Sequence, residues 1–151
     1  MNKIKLISLL LEKKICKEED IQGCSIAEIE HLEKSAGLQL PGQYKEFLLA
    51  VGKGAGSFFQ GSDIFFPLMN GLNKEAIELL EENDEEFDLP ENAFVFLMHQ
   101  GYEFDYFDTS NGNDPPVYQY VEGNGPPVLT WGSFSKFLND SIMQHAKACS
   151  C

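Results

Sequence analysis

A chain of 151 residues, 43% hydrophobic and 12% aromatic, is long enough for one globular domain with a sizeable core and too apolar for a disordered segment. Its formal charge is −13, from 24 acids and 11 lysines with no arginine. Nucleic-acid binding, which needs clustered cations and usually guanidinium forks, is thereby excluded. No apolar run approaches the roughly 20 residues of a membrane span.

The opening stretch, "MNKIKLISLLLEKK", imitates a signal peptide, but its apolar core is short and runs into Glu12, Lys13 and Lys14 without a small-residue cleavage site. An amphipathic helix over 2–15 is expected instead, in a cytoplasmic protein. In "CSIAEIEHLEKSAG", Ser25 and Glu28 form a capping box. Ile26, Ile29, Leu32 and Ala36 recur at helical spacing and Gly37 ends the run, so a helix is expected over 26–36. "LPGQYKEFLLA" predicts a third helix over 41–51: Pro41 suits a first turn, and Tyr44, Phe47, Leu48 and Val51 share one face. Gly52 then stands where a helix C-terminus favours a left-handed residue.

The next stretch, "AVGKGAGS" at 50–57, has the composition of a phosphate-binding loop. Its order is wrong. A Walker loop places lysine after the last glycine, whereas Lys53 precedes Gly54 and Gly56, and a dinucleotide fingerprint must follow a strand and open a helix. These glycines end a helix.

Short strands are expected near 56–60 and 63–67. A helix over 73–84 follows, with Asn73 as its cap and Ala76, Ile77 and Leu80 facing inward. From Ala93 the period changes to two. "FVFLMHQ" (94–100) reads as a strand buried on both faces. "YEFDYFD" (102–108) alternates, with Tyr102, Phe104 and Tyr106 inward and Glu103 and Asp105 outward. Gln100-Gly101 turns between them. "VYQYV" (117–121) and "VLTW" continue the meander, and a helix capped by Ser133 closes the chain. The expected fold class is α+β: a single domain, 1–151, with an antiparallel β-sheet flanked by helices.

Charge is distributed unevenly. Residues 1–74 carry nine acids and nine lysines, while residues 75–151 carry fifteen acids and only Lys136 and Lys147. The second half therefore holds the whole net charge. Glu81, Glu82, Asp84, Glu85, Glu86 and Asp88 crowd into eight positions. As a solvated helix end they would serve solubility; crowding like charges costs stability, however, which favours a surface meant for a basic partner. Glu103, Asp105 and Asp108, on the outward face of their strand, extend the same candidate contact set.

Other chemistries find little support. Cys16, Cys24, Cys149 and Cys151 lack the C-x(2–4)-C spacing of zinc sites. The tail "HAKACSC" could meet a metal through His145, but a reduced, frayed terminus is the plainer reading. His99 in "LMHQGY" is the one tempting catalytic histidine, with Glu103 or Asp105 as possible orienting groups; no nucleophile motif accompanies it. An EF-hand loop begun at Asp108 would have Asn113 and Gln119 where glycine and glutamate are needed. Paired carboxylates for glycosidase work rest on numbers alone. No enzyme activity, cofactor or metal is expected.

Taken in order, "IAEIEHLEKSAGLQLPGQYKEFLLAVGKGAG", "FLMHQGYEFDYF", "PPVYQYVEG" and "SFSKFL" resemble the SUKH superfamily, bacterial relatives of the fungal SMI/KNR-type cell-wall regulators. The resemblance covers about 25–142; the N-terminal helix and the cysteine tail (147–151) lie outside it. It implies a binding module without catalysis. Many bacterial members are immunity proteins, which bind and neutralise a cognate polymorphic or contact-dependent toxin, often a nuclease. A nuclease carries a basic substrate surface, which an acidic inhibitor can cover. The superfamily also implies an alternative, a scaffold or regulatory module that binds a host protein.

Overall fold

The computed structural model describes residues 1–149. Helix α1 (Lys3–Glu12) starts where the Asn2 side chain accepts the Lys5 N–H at 2.9 Å, and it buries Leu6 and Leu10. It is shorter than the expected 2–15. Lys14 adopts a left-handed φ of 57°, and the Ile15 N–H returns to the Leu10 carbonyl at 3.0 Å, bringing Ile15 into the core. The capping box of α2 (Ile26–Ala36) forms as expected: the Ser25 hydroxyl accepts the Glu28 N–H at 3.1 Å, and the Glu28 carboxylate accepts the Ser25 N–H at 2.8 Å. Its buried stripe is narrower than the spacing implied. Ile29 and Leu32 are buried, whereas Ile26 is 68% exposed and Ala36 also faces solvent.

Helix α3 (Gly42–Val51) buries Tyr44, Phe47, Leu48 and Val51. Gly52 does not adopt the expected left-handed conformation; its φ is −57° and its N–H still donates to Leu48 at 2.9 Å. What requires glycine there is a close approach. The chain before α2 crosses the end of α3, where the Cys24 N–H donates to the same Leu48 carbonyl at 2.8 Å. A Cβ on Gly52 would stand 2.5 Å from the Cys24 sulfur, and one on Gly23 would stand 1.9 Å from the Leu49 carbonyl oxygen. The same crossing pairs β1 (Ile21–Gln22) with β2 (Gly54–Ala55), antiparallel. The glycine run is thus spent on ending α3 and forming β2.

The strands expected at 56–60 and 63–67 do not form. Phe59 is left-handed at φ 57°, so the segment turns instead of extending, and Phe59 stacks on Phe137 with ring centroids 5.9 Å apart. Only β3 (Ser62–Asp63) pairs with the main sheet. In α4 (Leu72–Glu82) the N-cap is Gly71, φ 102°, and not Asn73. The Asn73 side chain is used elsewhere: its Nδ2 donates to the Ala93 carbonyl at 2.9 Å and its Oδ1 accepts the Val95 N–H at 2.7 Å. The inner face of α4 is Leu72, Ala76, Leu79 and Leu80; Ile77, expected inside, is 44% exposed.

Strands β4 (Ala93–His99), β5 (Glu103–Asp108), β6 (Val117–Val121) and β7 (Val128–Trp131) follow, and helix α5 (Phe134–Cys149) ends the described chain. The sheet order is β3-β4-β5-β6-β7, antiparallel throughout. This is the expected α+β arrangement. Gln100 and Gly101, both at positive φ, make the turn between β4 and β5. On the sheet face covered by α3 and α5, the Tyr44 ring lies 5.5 Å from Phe94, 5.2 Å from Phe107 and 5.5 Å from Phe134. Tyr106 points to the opposite face, stacked on Tyr118 at 5.1 Å and contacted by Phe87 at 6.5 Å. Both faces of the central strands are therefore covered. Among the described residues, no helix is long and apolar enough to cross a membrane.

Candidate functional site

The acidic segment begins in the last turns of α4. Glu81 and Glu82 are exposed there, with no basic residue in the last turn to offset the negative end of the helix dipole. Asn83 ends the helix, and Asp84 takes a left-handed φ of 53°, which reverses the chain. The Glu85 N–H consequently donates to the Leu80 carbonyl at 3.0 Å. This reversal lays the 85–89 segment back along α4. Glu81, Glu85 and Asp88 thereby come together around a cleft of about 210 Å³ floored by Leu80, Phe87 and Leu89. Asp84, Glu86 and Asp88 are exposed, but Glu85 is half-buried and its Oε2 is shielded from solvent without a hydrogen-bond partner.

Glu82 belongs to a separate cleft of about 240 Å³ on the other side of α4, shared with Asp63 from β3 and with Glu75 and Glu78 from α4. These three acids were absent from the expected contact set. Their signal was present in the sequence: Glu75, Glu78 and Glu82 fall at i, i+3 and i+7, one helical face. Asp63 became visible only with the β3–β4 pairing, because its sequence neighbours read as an aromatic strand.

The β5 acids do not join this surface as a row. Glu103 and Asp108 are half-exposed at opposite ends of the strand. The Asp108 carboxylate accepts the Ser110 N–H at 2.8 Å and also its hydroxyl, so it closes its own turn. Asp105 is a correction: it is 2% exposed and cannot contact a partner. Alternation puts it on the same face as Phe107, beneath α3 and α5, and the second covered face is what the expected inward–outward pattern lacked. Consecutive aromatics at Tyr106 and Phe107 were the available sign. Burial pushes the Asp105 carboxyl up to about 7; a hydrogen bond from Gln119, its neighbour on β6, opposes this and the Glu103 charge adds to it. Its Oδ1 has no partner.

Other chemistry-bearing groups are occupied structurally. The His99 Nδ1 is 2.8 Å from the Ser62 hydroxyl, across the β3–β4 pair, and its ring meets Tyr102 edge-on at 5.6 Å. A wider cleft of about 460 Å³ holds Ser57 and His145, with Oγ to Nε2 at 3.3 Å. The His145 ring sits edge-on to Phe58 at 5.8 Å, and no carboxylate among the described residues pairs with it to make a triad. Cys16 and Cys24 are free thiols, and burial raises the Cys24 thiol to about 11, far from a reactive thiolate. No group of His, Cys, Asp and Glu among the described residues could hold a metal. Cys151 and the Cys149 side chain lie outside the described residues, so the tail's metal reading has no geometry to weigh.

No curated protein matches the chain. The sequence profile of the SMI1-KNR4 cell-wall family, SUKH_6, matches residues 26–138. That interval runs from the first residue of α2 to the buried Leu138 of α5 and takes in every strand of the main sheet. The chain belongs to the SMI1-KNR4 cell-wall family.

Proposed function

We propose that the protein is a non-catalytic immunity protein, which binds a basic bacterial toxin stoichiometrically and blocks its substrate surface. The observation that carries this reading is the segregation of charge. Two clefts that flank α4, one against β3 and one against the 85–89 segment, gather Asp63, Glu75, Glu78, Glu81, Glu82, Glu85 and Asp88. Exposed Glu86 follows Glu85 in the same segment. Beyond Lys74 no lysine occurs in sequence before Lys136 to neutralise them. A basic, substrate-binding toxin face would associate quickly with such a surface by electrostatic steering, and the wrong partners would be repelled. Family membership supports a protein-binding role of this kind. A nuclease, which needs a basic surface to hold its substrate, is the simplest such toxin.

Co-expression with a candidate toxin taken from the neighbouring genes tests the reading. The expected result is a complex of fixed stoichiometry that survives purification, with toxin activity suppressed in proportion to bound protein. Suppression at substoichiometric amounts would point to catalysis, and a lack of association would leave the regulatory-module alternative.

A further inference from the structure

We propose that the cleft between the last turns of α4 and the returning 85–89 segment receives an arginine side chain of the basic partner. The proposal deepens the reading of the acidic face as the partner surface and rests on it.

Four features converge on a guanidinium. The cleft has an apolar floor, Leu80, Phe87 and Leu89, with Glu81, Glu85 and Asp88 around it. A long cationic side chain buries an aliphatic stem while its charged head meets carboxylates. The negative end of the α4 dipole opens here, and the last turn contains no basic residue to answer it. One polar group lining the cleft lacks a partner, the shielded Oε2 of Glu85; the hydroxyl of Tyr120, a residue only 1% exposed and outside the cleft lining, is also unpartnered. These two sense each other, because the Glu85 charge contributes to raising the Tyr120 phenol, after burial itself.

A cation with several donors in fixed directions would satisfy both carboxylates at the rim and the unpaired Oε2 together. Arginine fits this better than lysine, because its planar fork can bond two carboxylates and lie on an aromatic face. Phe87 lines the cleft, and its ring contacts Tyr106 at 6.5 Å. The cleft is also built by a reversal at a left-handed Asp84, so its two walls are close neighbours in sequence and do not depend on partner binding to form.

The test is a titration of the full, isotope-labelled chain with N-acetylarginine amide, followed by amide chemical shifts, with N-acetylcitrulline amide as the neutral isostere. Saturable shifts are expected at Leu80–Leu89 and at Tyr120, with citrulline about tenfold weaker or undetectable. Glu85→Gln, which keeps shape, is expected to abolish the localised response, while Glu103→Gln leaves it intact. Shifts spread evenly over all exposed acids, equal response to citrulline, or an unchanged response in Glu85→Gln would overturn the proposal.

Failure here is separable from failure of the partner reading. Loss of the localised arginine response, with toxin binding still dependent on Glu78 and Glu82, would remove the arginine subsite alone. A localised arginine response that bound toxin does not displace would place the toxin elsewhere and overturn the assignment of this cleft to it.

Discussion

Asn73 of α4 serves β4 as a substitute strand: its amide exchanges two hydrogen bonds with the backbone of Ala93 and Val95, at 2.9 and 2.7 Å. Strand β3 is two residues long and reaches only Met98 and His99, so the outer edge of β4 is otherwise unpaired near Val95. Asn73→Ala should cost about 1–3 kcal/mol, the penalty for stranding buried backbone groups. Asn73→Asp should also destabilise, since a carboxylate can accept the Val95 N–H but repels the Ala93 carbonyl. Urea unfolding of the two variants measures both; a loss within experimental error for Asn73→Ala would show that solvent reaches this edge.

Asp105 makes a pH-dependent prediction. Its carboxyl is held up to about 7 in the fold, against 3.8 for the ordinary group. Between those values the native state keeps a proton that the unfolded chain has lost, so stability falls as pH rises from about 4 to 7. Above 7 the buried charge costs its full amount, on the order of a few kcal/mol. Asp105→Asn should therefore be more stable than the parent at pH 8, with the advantage shrinking toward pH 4.5. Denaturant midpoints of the pair at matched pH test this, and a difference independent of pH would contradict it.

Gly52 and Gly23 share one close crossing, and each should resist a methyl group. Gly52→Ala sets a Cβ against the Cys24 sulfur at 2.5 Å, and Gly23→Ala sets one against the Leu49 carbonyl at 1.9 Å. Overpacking of this kind costs about 1–3 kcal/mol. Gly23→Ala should be the worse, because its 1.9 Å clash is the closer and is with backbone alone, whereas the Gly52 Cβ meets the Cys24 sulfur and the Leu48 carbonyl oxygen, each at 2.5 Å. Cys24→Ala should relieve part of the Gly52→Ala cost and none of the Gly23→Ala cost. Nucleotides should leave the melting temperature unchanged, since this glycine run closes α3 and pairs as β2.

The charge pattern separates stability from function. Glu81 and Glu82 are exposed at the negative end of α4. Changing them to glutamine should stabilise the helix slightly, by about 0.3–1 kcal/mol each at low salt. The same change should weaken association with a basic partner. Raising ionic strength should slow association more than it speeds dissociation, because exposed charges are screened over about 8–10 Å. Thermal melts and binding kinetics on the same variant provide the comparison. Equal kinetics at low and high salt would leave the acids a solubility role only.

Much of this was legible in the sequence where one local rule decided the outcome. Ser25 and Glu28 sat at capping-box spacing, and Tyr44, Phe47, Leu48 and Val51 at helical spacing; both patterns are realised. The misreadings came where tertiary contacts overrode local pattern. Phe58 and Phe59 look like strand residues, yet the α5 ring of Phe137 holds Phe59 in a turn. Asn73 looks like a cap but is drawn to the β4 edge. Asp105 alternates outward from Phe104 and Tyr106, but the face it reaches is itself covered. The acidic segment was visible as composition; the reversal at Asp84 that folds it into a cleft was not, because no glycine or proline marks it.

The most direct test of the acidic-face account is a protection assay in cells expressing a candidate toxin taken from the neighbouring genes. Three forms are compared: the parent, a variant with Glu78, Glu81, Glu82 and Glu86 changed to glutamine, and a control with Glu12, Glu18 and Glu19 changed likewise. All seven positions are exposed, so all three forms should fold. The account predicts that the parent and the control protect growth while the four-site variant does not, at equal protein levels. Equal protection by all three would contradict it.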